Sequence, residues 1–460
     1  MHLKFTAFRA IHDASRRDRL PSLATRRDRL ASLRRMVDGN RDAIARAIDA
    51  DFGGRPWQET ELLEIVPLLG AIRNTSRHLR RWMHDERRDV ALPFQPGSAW
   101  VRHEPLGVIG IISPWNYPLF LSLGPLVDAL AAGNRAMIKP SELTPRFSEL
   151  LKRMVSDHFD ADLIAVETGG VEVAQAFSAL PFDHLIFTGS TSVGRKVMQA
   201  AASNLTPVTL ELGGKSPAVL APDYSLDKAA RSIVLGKFTN AGQTCIAPDY
   251  VLIPAGQTDA FAHKIMSRLE TAYPAAGSEG GYSNIITTGH RTRLTEAVEE
   301  ARNAGATILR PSGDYGTKFP PTLVVNAPEE CLLLRDEIFG PVLPIVTYET
   351  LEEALSFISR RARPLSMYVF TNNRRTAKTI LDGAISGGVT LNGTLLHVAQ
   401  DDLPFGGVGA SGMGAYHGRH GFRRMSHARS IFKPGFLNAF EFLGPPFGKL
   451  ADIAIRILGR

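Results

Sequence analysis

Between residues 106 and 138 the chain reads LGVIGIISPWNYPLFLSLGPLVDALAAGNRAMI, with only Asp128 and Arg135 carrying charge. The apolar run at 106–112, bounded by glycine and proline, predicts a short strand with no polar face. Residues 119–132 predict a helix that is apolar on every side and therefore buried, and residues 135–138 predict a second strand. Strand, helix and strand in this order make a parallel βαβ unit, which needs cover on both faces of its sheet. Ligands of such sheets lie beyond the carboxyl ends of the strands. That places Asn116 after the first strand, and Lys139-Pro140-Ser141-Glu142 after the second, in positions to bind. Lys139 and Glu142 have the chemistry to hydrogen-bond ribose hydroxyls, although a lone Lys-Pro-Ser-Glu is also an ordinary polar strand-to-helix connection. Thr144 reads as the cap of the next helix, with Pro145 at its first position.

The unit repeats. His184-Leu185-Ile186-Phe187 reads as a strand, and Thr188-Gly189-Ser190-Thr191-Ser192-Val193-Gly194 leads into a helix expected to run to Ala202. Gly189 permits a tight turn, and the helix N-terminus offers free N–H groups to an anion such as a phosphate. The glycines lie five apart, so the usual G-x-G-x-x-G dinucleotide fingerprint is absent. Next, Val208-Thr209-Leu210-Glu211-Leu212-Gly213-Gly214 sets one carboxylate in an apolar run, where burial would raise its pKa toward that of a general base. The other reading of Glu211 is an exposed glutamate on an edge strand.

A second α/β region follows, with strands expected at 218–220, 250–253, 342–348 and 366–370. A helix from Leu226 is expected to run into Phe238-Thr239-Asn240-Ala241-Gly242-Gln243-Thr244-Cys245. A thiol attacks as thiolate, so a nucleophilic Cys245 calls for dipoles, a cation or a base to lower its pKa. Gln243 and the Cys245 N–H are groups able to face an oxyanion formed beside the sulfur. A lone cysteine is also commonly a small buried hydrophobe. Residues 273–290, rich in Gly and Ser, read as a surface loop. The glycine-dense 404–414 stretch reads as a mobile or close-packed loop, without the strand and helix that would frame a nucleotide site.

Four stretches in fixed order, Pro114-Trp115-Asn116-Tyr117-Pro118, the Glu211 run, the Cys245 run and Glu337-Ile338-Phe339-Gly340-Pro341, resemble the NAD(P)-dependent aldehyde dehydrogenase superfamily. The resemblance extends from about Leu30 to Phe432. Tyr416-His417-Gly418 and Phe422 resemble its shorter, dimeric class 3 branch, most closely the bacterial coniferyl aldehyde dehydrogenases. It implies an α/β chain in three parts: a Rossmann-like cofactor domain (residues 1–86 and 105–211), a catalytic domain (212–397) and a β oligomerisation arm with its return (87–104 and 398–433). Residues 434–460 form a tail. It further implies Cys245 as nucleophile, Glu211 as hydrolytic base and Asn116 as oxyanion donor. Lys139, Ser141, Glu142, Gly189, Ser190 and Gly194 would hold the cofactor, with Ser190 at the pyrophosphate. Glu337 would hold the nicotinamide ribose, with Phe339 and Trp115 beside it. Without the family context, Glu337 and Phe339 read as a helix-capping carboxylate and a core aromatic.

The implied reaction is oxidation of an aldehyde, of aromatic hydroxycinnamaldehyde type, by NAD, with NADP as the alternative cofactor and no metal. Trp115, Tyr117, Phe120 and His397 are candidates for the substrate funnel. Aliphatic or fatty aldehydes are the alternative substrates. An acyl-CoA-forming dehydrogenase is disfavoured by Glu211, and a cofactor-free cysteine hydrolase would not need Lys139, Ser190 or Glu337. A non-catalytic binding protein would not need Cys245 and Glu211.

Two cysteines in 460 residues exclude a disulfide framework and fit a reducing compartment, the cytoplasm. The net charge of +7 is spread over periodic helices with acidic residues between, as in Arg16-Arg17-Asp18-Arg19, and no motif for nucleic acid accompanies it. No signal sequence or spanning segment is read. The tail reads as a short helix packed on the partner of a homodimer or over the substrate funnel, in preference to one lying on a membrane surface.

Overall fold

In a computed structural model, which describes residues 6–275, 281–436, 438, 441 and 443–458, sixteen strands assemble into three sheets. The first eight in chain order are β1 (Glu86–Arg88), β2 (Ser98–Pro105), β3 (Val108–Ile112), β4 (Arg135–Lys139), β5 (Ile164–Val166), β6 (His184–Gly189), β7 (Val208–Leu212) and β8 (Pro217–Leu220). The second eight are β9 (Tyr250–Pro254), β10 (Thr307–Leu309), β11 (Thr322–Val325), β12 (Val342–Tyr348), β13 (Ser366–Phe370), β14 (Gly388–Leu391), β15 (Gly412–Met413) and β16 (Ser426–Lys433).

The expected parallel unit sits at the centre of a six-stranded sheet ordered β15-β7-β6-β3-β4-β5, parallel except at β15. Every residue of β3, β4 and β7 is buried, the apolar run of β3 and the charged Arg135, Lys139 and Glu211 alike. The helix Pro118–Ala132 is buried everywhere but at Phe120. It shares one core with the outer helices Leu23–Asp38 and Val66–Trp82. Leu33, Leu68 and Leu126 are fully buried in that core, each contributing about 1.5–3 kcal/mol. The register aligns Ile112 with both Lys139 and Phe187, and Thr188 with Glu211, so the strand ends deliver their loops to one edge.

A seven-stranded sheet ordered β10-β11-β12-β9-β8-β13-β14, parallel except at β10, forms around the second core. The third sheet, β1-β2-β16, is antiparallel, and β16 runs along all of β2 from Ser426 opposite Pro105 to Lys433 opposite Ser98.

Several local expectations are revised. The helix from Leu226 ends at Phe238, and Asn240, Ala241 and Gly242 are all left-handed, so the chain turns sharply before Cys245. Thr144 stands at the helix start but makes no capping bond. Asp51 takes over, accepting from Arg146 N at 3.0 Å and Phe147 N at 2.9 Å, a partner some ninety residues away that local reading cannot supply. The expected surface loop at 273–290 carries buried Tyr273, Tyr282 and Ser283, while its residues 276–280 lie outside those described. The glycine-dense stretch is close-packed, with β15 pairing Gly412 to Glu211 and Met413 to Leu210. Of the tail, Lys449–Leu458 is helical with Ile453, Ile455, Ile457 and Leu458 exposed. No described helix is long and apolar enough to cross a membrane.

Candidate active site

Asn116, four residues past the end of β3, and Cys245, beyond the left-handed turn, are tied to each other through the backbone. The Asn116 Nδ2 donates to the carbonyl of Gln243 at 3.1 Å, and the Asn240 Nδ2 donates to the Asn116 carbonyl at 3.0 Å. Tyr117 and Thr244 share a hydroxyl bond at 2.6 Å. Only glycine fits at 242: its φ is +72°, and a Cβ there would stand 2.3 Å from the Gly340 carbonyl oxygen. Gln243 is not an oxyanion donor. Its Nε2 is spent on the carbonyls of Asn240 and Asn284, and its Oε1 accepts from Ile286 N, so it stitches the buried 282–286 segment to the turn.

Sequence reasoning missed the polar frame beneath this turn. Arg55 and Glu64 form a fully buried ion pair at 2.9 Å. Arg55 also donates to the Asn116 carbonyl at 3.3 Å, while Glu64 accepts from Leu119 N and Phe120 N at the start of the buried helix. Glu59 accepts from Asn240 N at 3.0 Å and Ser283 Oγ at 2.6 Å. These residues lie in helical sequence that reads as scaffold. The charges spaced along Arg55, Glu59 and Glu64 were the available signal.

Cys245 is half-buried. Burial, with the charges of Glu337 and Glu211, pushes its thiol up to about 12, against the pull of the Cys245 and Ile246 N–H groups. This is opposite to the expected lowering. Glu211 is 2% exposed at the end of β7, its two carboxyl oxygens have no hydrogen-bond partner among the described residues, and burial alone raises its pKa well above the usual range. It is therefore no edge-strand surface glutamate. Burial, with the charge of Asp249 adding to it, raises Glu337 to about 8, against the Gly214 N–H. Burial thus favours the protonated form of both carboxyls.

Two cavities meet at Ser190. One, of about 470 Å³, is lined by Trp115, Lys139, Ser141, Glu142, Gly189 and Ser190. The other, of about 890 Å³, runs from Ser190 past Gly213 to Glu337. Gly213 is required here: a Cβ would lie 2.0 Å from Glu337 Oε2. Ser190 caps the helix Thr191–Ala202 by accepting from Val193 N, leaving the N-terminus open to an anion. Lys139 is buried and pairs with Glu142 at 3.0 Å. Burial works against the Glu142 carboxylate, but its own N–H and Lys139 hold it below its ordinary pKa. Phe339 packs edge-on to Trp115 at 5.4 Å with a left-handed φ of 47°, a strained placement for a non-glycine residue. His290, unmarked in the sequence, packs on the other side of Trp115 at 5.4 Å.

An extended dinucleotide fits this arrangement. There is a carboxylate and lysine at one end, a helix N-terminus midway, and at the other end a buried Glu337 whose Oε1 has no partner among the described residues. Gly194 lines neither cavity: a Cβ there would meet Leu212 at 2.6 Å, so it serves helix-to-strand packing. His397 is also withdrawn from the funnel, its ring nitrogens taken by Ser366 and Thr390. Among the described residues no group of three or more His, Cys, Asp or Glu could hold a metal ion.

A family model described as the aldehyde dehydrogenase family matches residues 6–431. The chain is 47% identical to a probable coniferyl aldehyde dehydrogenase of Pseudomonas aeruginosa, over 94% of this chain and 90% of that protein. It is 43% identical to a coniferyl aldehyde dehydrogenase of a Pseudomonas species (86% and 83% covered). With the dimeric NADP-preferring aldehyde dehydrogenase of Rattus norvegicus the identity is 39% (88% and 89% covered). Among solved structures, the substrate-bound AldH of Staphylococcus aureus has a TM-score of 0.93 at 36% identity, covering 99% of this chain and 100% of that one. Betaine aldehyde dehydrogenase of Staphylococcus aureus in complex with NAD+ has a TM-score of 0.83 at 26% identity, covering 94% and 88%.

Proposed function

The chain belongs to the aldehyde dehydrogenase family, and we propose that its aldehyde is aromatic, of the hydroxycinnamaldehyde type represented by coniferyl aldehyde, with Cys245, Glu211 and Asn116 as the catalytic residues. The observation that carries the catalytic assignment is the buried carboxyl of Glu211, whose two oxygens have no hydrogen-bond partner among the described residues. The substrate class is supported by the coniferyl aldehyde dehydrogenases to which the chain is similar.

In this reading the Cys245 thiolate forms a bond to the aldehyde carbon, and the carbonyl oxygen becomes an alkoxide held by the Asn116 Nδ2 and the Cys245 N–H. NAD(P)+, when bound, supplies the hydride acceptor, and NAD is the preferred form. Loss of hydride leaves a thioester on Cys245. Glu211, once deprotonated, takes a proton from water, the water oxygen attacks the thioester carbon, and the acid departs as the C–S bond breaks. Lys139, Ser141 and Glu142 hold the adenosine end, Gly189 and Ser190 the pyrophosphate, and Glu337 with Phe339 and Trp115 the nicotinamide end.

The six-stranded sheet is assigned to the cofactor domain, the seven-stranded sheet to the catalytic domain and β1-β2-β16 to the arm. The edge of β16 away from β2 pairs with no described strand, which supports a homodimer formed through it. The free thiols of Cys245 and Cys331 support a reducing compartment, the cytoplasm. The test is a panel of hydroxycinnamyl, benzyl and straight-chain aldehydes assayed with each nicotinamide cofactor. The highest kcat/KM belongs to the hydroxycinnamyl members, and a preference for straight-chain aldehydes contradicts the substrate class.

A further inference from the structure

A separate cavity of about 270 Å³ is lined by Phe120. Its walls are mainly apolar, with Val66, Gly124, Val127 and Val398 beside the Phe120 ring. Five polar side chains, Asn74, Thr75, Asp128, Asp401 and His417, also line it. Asn74 Nδ2 and His417 Nε2 are buried and have no hydrogen-bond partner among the described residues. Asp128 is 3% exposed, and its carboxyl accepts from the His417 N–H at 3.2 Å. Buried polar atoms without partners are costly, so their concentration in one apolar cavity calls for a polar group inside it.

The cavity wall and Cys245 share an apolar cluster. Val398 and Cys245 pack against the same apolar cluster of Ile246, Leu365, Phe405 and Tyr416. Phe405 stacks on His417 at 5.3 Å, and Phe120 meets the His417 ring edge-on at 6.0 Å. Phe120 lies four residues after Asn116, in the first turn of the buried helix. The rings of Phe405, His417 and Phe120 therefore link the cluster that Cys245 packs against to the polar end of the cavity.

We propose that this cavity is the subsite for the ring end of the substrate, and that Asn74, with His417 and Asp128, selects an oxygenated 4-hydroxy-3-methoxyphenyl ring over an unsubstituted phenyl ring. The inference rests on the aromatic-aldehyde reading above. Such a ring end carries two adjacent acceptor oxygens and one O–H donor. Asn74 Nδ2 is a donor only, the neutral imidazole of His417 donates or accepts at Nε2 according to its tautomer, and the Asp128 carboxyl accepts and, when protonated, also donates. A phenyl ring would satisfy the apolar walls and leave these groups unpaired, and that is the situation in which a pocket discriminates most strongly.

The experiment compares kcat/KM for 4-hydroxy-3-methoxycinnamaldehyde with that for cinnamaldehyde, in the wild type and in Asn74→Leu, at saturating NAD. The wild type favours the oxygenated substrate, and the ratio falls on the order of tenfold in the variant, the effect of about one hydrogen bond. An unchanged ratio in a folded Asn74→Leu overturns the subsite and leaves these polar groups to an ordered water. If the variant does not fold, inhibition of the wild type by the two product acids decides. Binding of 4-hydroxy-3-methoxycinnamate roughly tenfold tighter than cinnamate supports the subsite, and equal inhibition overturns it. A wild type that oxidises both aldehydes with equal kcat/KM overturns the subsite while the proposed function stands. A wild type that oxidises neither contradicts the proposed function as well.

Discussion

The Asn116 side chain donates to the carbonyl of Gln243 at 3.1 Å, two residues before Cys245, so the proposed oxyanion donor is held against the loop of the proposed nucleophile. Its backbone carbonyl is fixed in turn by Asn240 and Arg55. Asn116→Ala removes the donor while this frame remains. The expected loss is on the order of 10²–10³ in kcat with cofactor affinity unchanged, measured by steady-state kinetics and cofactor titration.

Cys245→Ala abolishes oxidation and leaves cofactor binding intact, because the sulfur lines neither cavity assigned to the dinucleotide. Cys331 is buried beside Leu333 and Leu334, at the start of a short helix. Cys331→Ala therefore keeps its activity. Loss of activity in Cys331→Ala at unchanged thermal stability would transfer the nucleophile's role.

In the proposed function Glu142 is expected to set cofactor choice. Its carboxylate pairs with Lys139 at the rim of the smaller dinucleotide cavity and accepts ribose hydroxyls, but it repels a 2′-phosphate. At this half-exposed site the repulsion is on the order of 1 kcal/mol, so Glu142→Gln lowers the NAD/NADP ratio of kcat/KM by about fivefold. A wild-type ratio in the variant excludes the role.

Asp128 makes stability depend on pH. Burial raises its carboxyl from the ordinary 3.8 to about 8, against the His417 N–H and with the charge of Asp401 adding to the rise. The folded chain then keeps a proton that the unfolded chain releases, so this group's contribution to stability falls as pH rises between about 4 and 8. Asp128→Asn removes that dependence. Its Tm relative to the wild type climbs across the window and levels off above it, and parallel Tm curves from pH 5 to 9 would contradict the assignment.

The parallel unit was legible because strands buried on both faces leave an unbroken apolar signature, as at Val108–Ile112. Glu211, Asn116 and Cys245 could be picked out as candidates because strand ends and glycine turns put chemistry at predictable places. The frame was not. Asp51 capping a helix that begins at Pro145, Gln243 turned into a brace, and Arg55 with Glu64 beneath Asn116 all depend on partners far away in sequence. The state of Cys245 was also hidden, since its thiol responds first to its own burial and then to the charges of Glu337 and Glu211, which are distant in sequence. Gly194 shows the converse: its place in a phosphate-loop pattern suggested a ligand, and the packing of Leu212 explains it.

The most direct test of the Cys245–Glu211 mechanism is the first turnover of Glu211→Gln, followed by stopped-flow absorbance of NADH and mass spectrometry of the quenched enzyme. Gln keeps the shape of Glu211 but cannot take a proton from water. One equivalent of NADH should form rapidly, Cys245 should carry the acyl group, and steady turnover should fall by on the order of 10²–10⁴. Absence of both the rapid equivalent and the acyl-enzyme would move the action of Glu211 to the thiol, before hydride transfer. Steady-state turnover close to wild type would contradict either role, and with it the hydrolytic half of the mechanism.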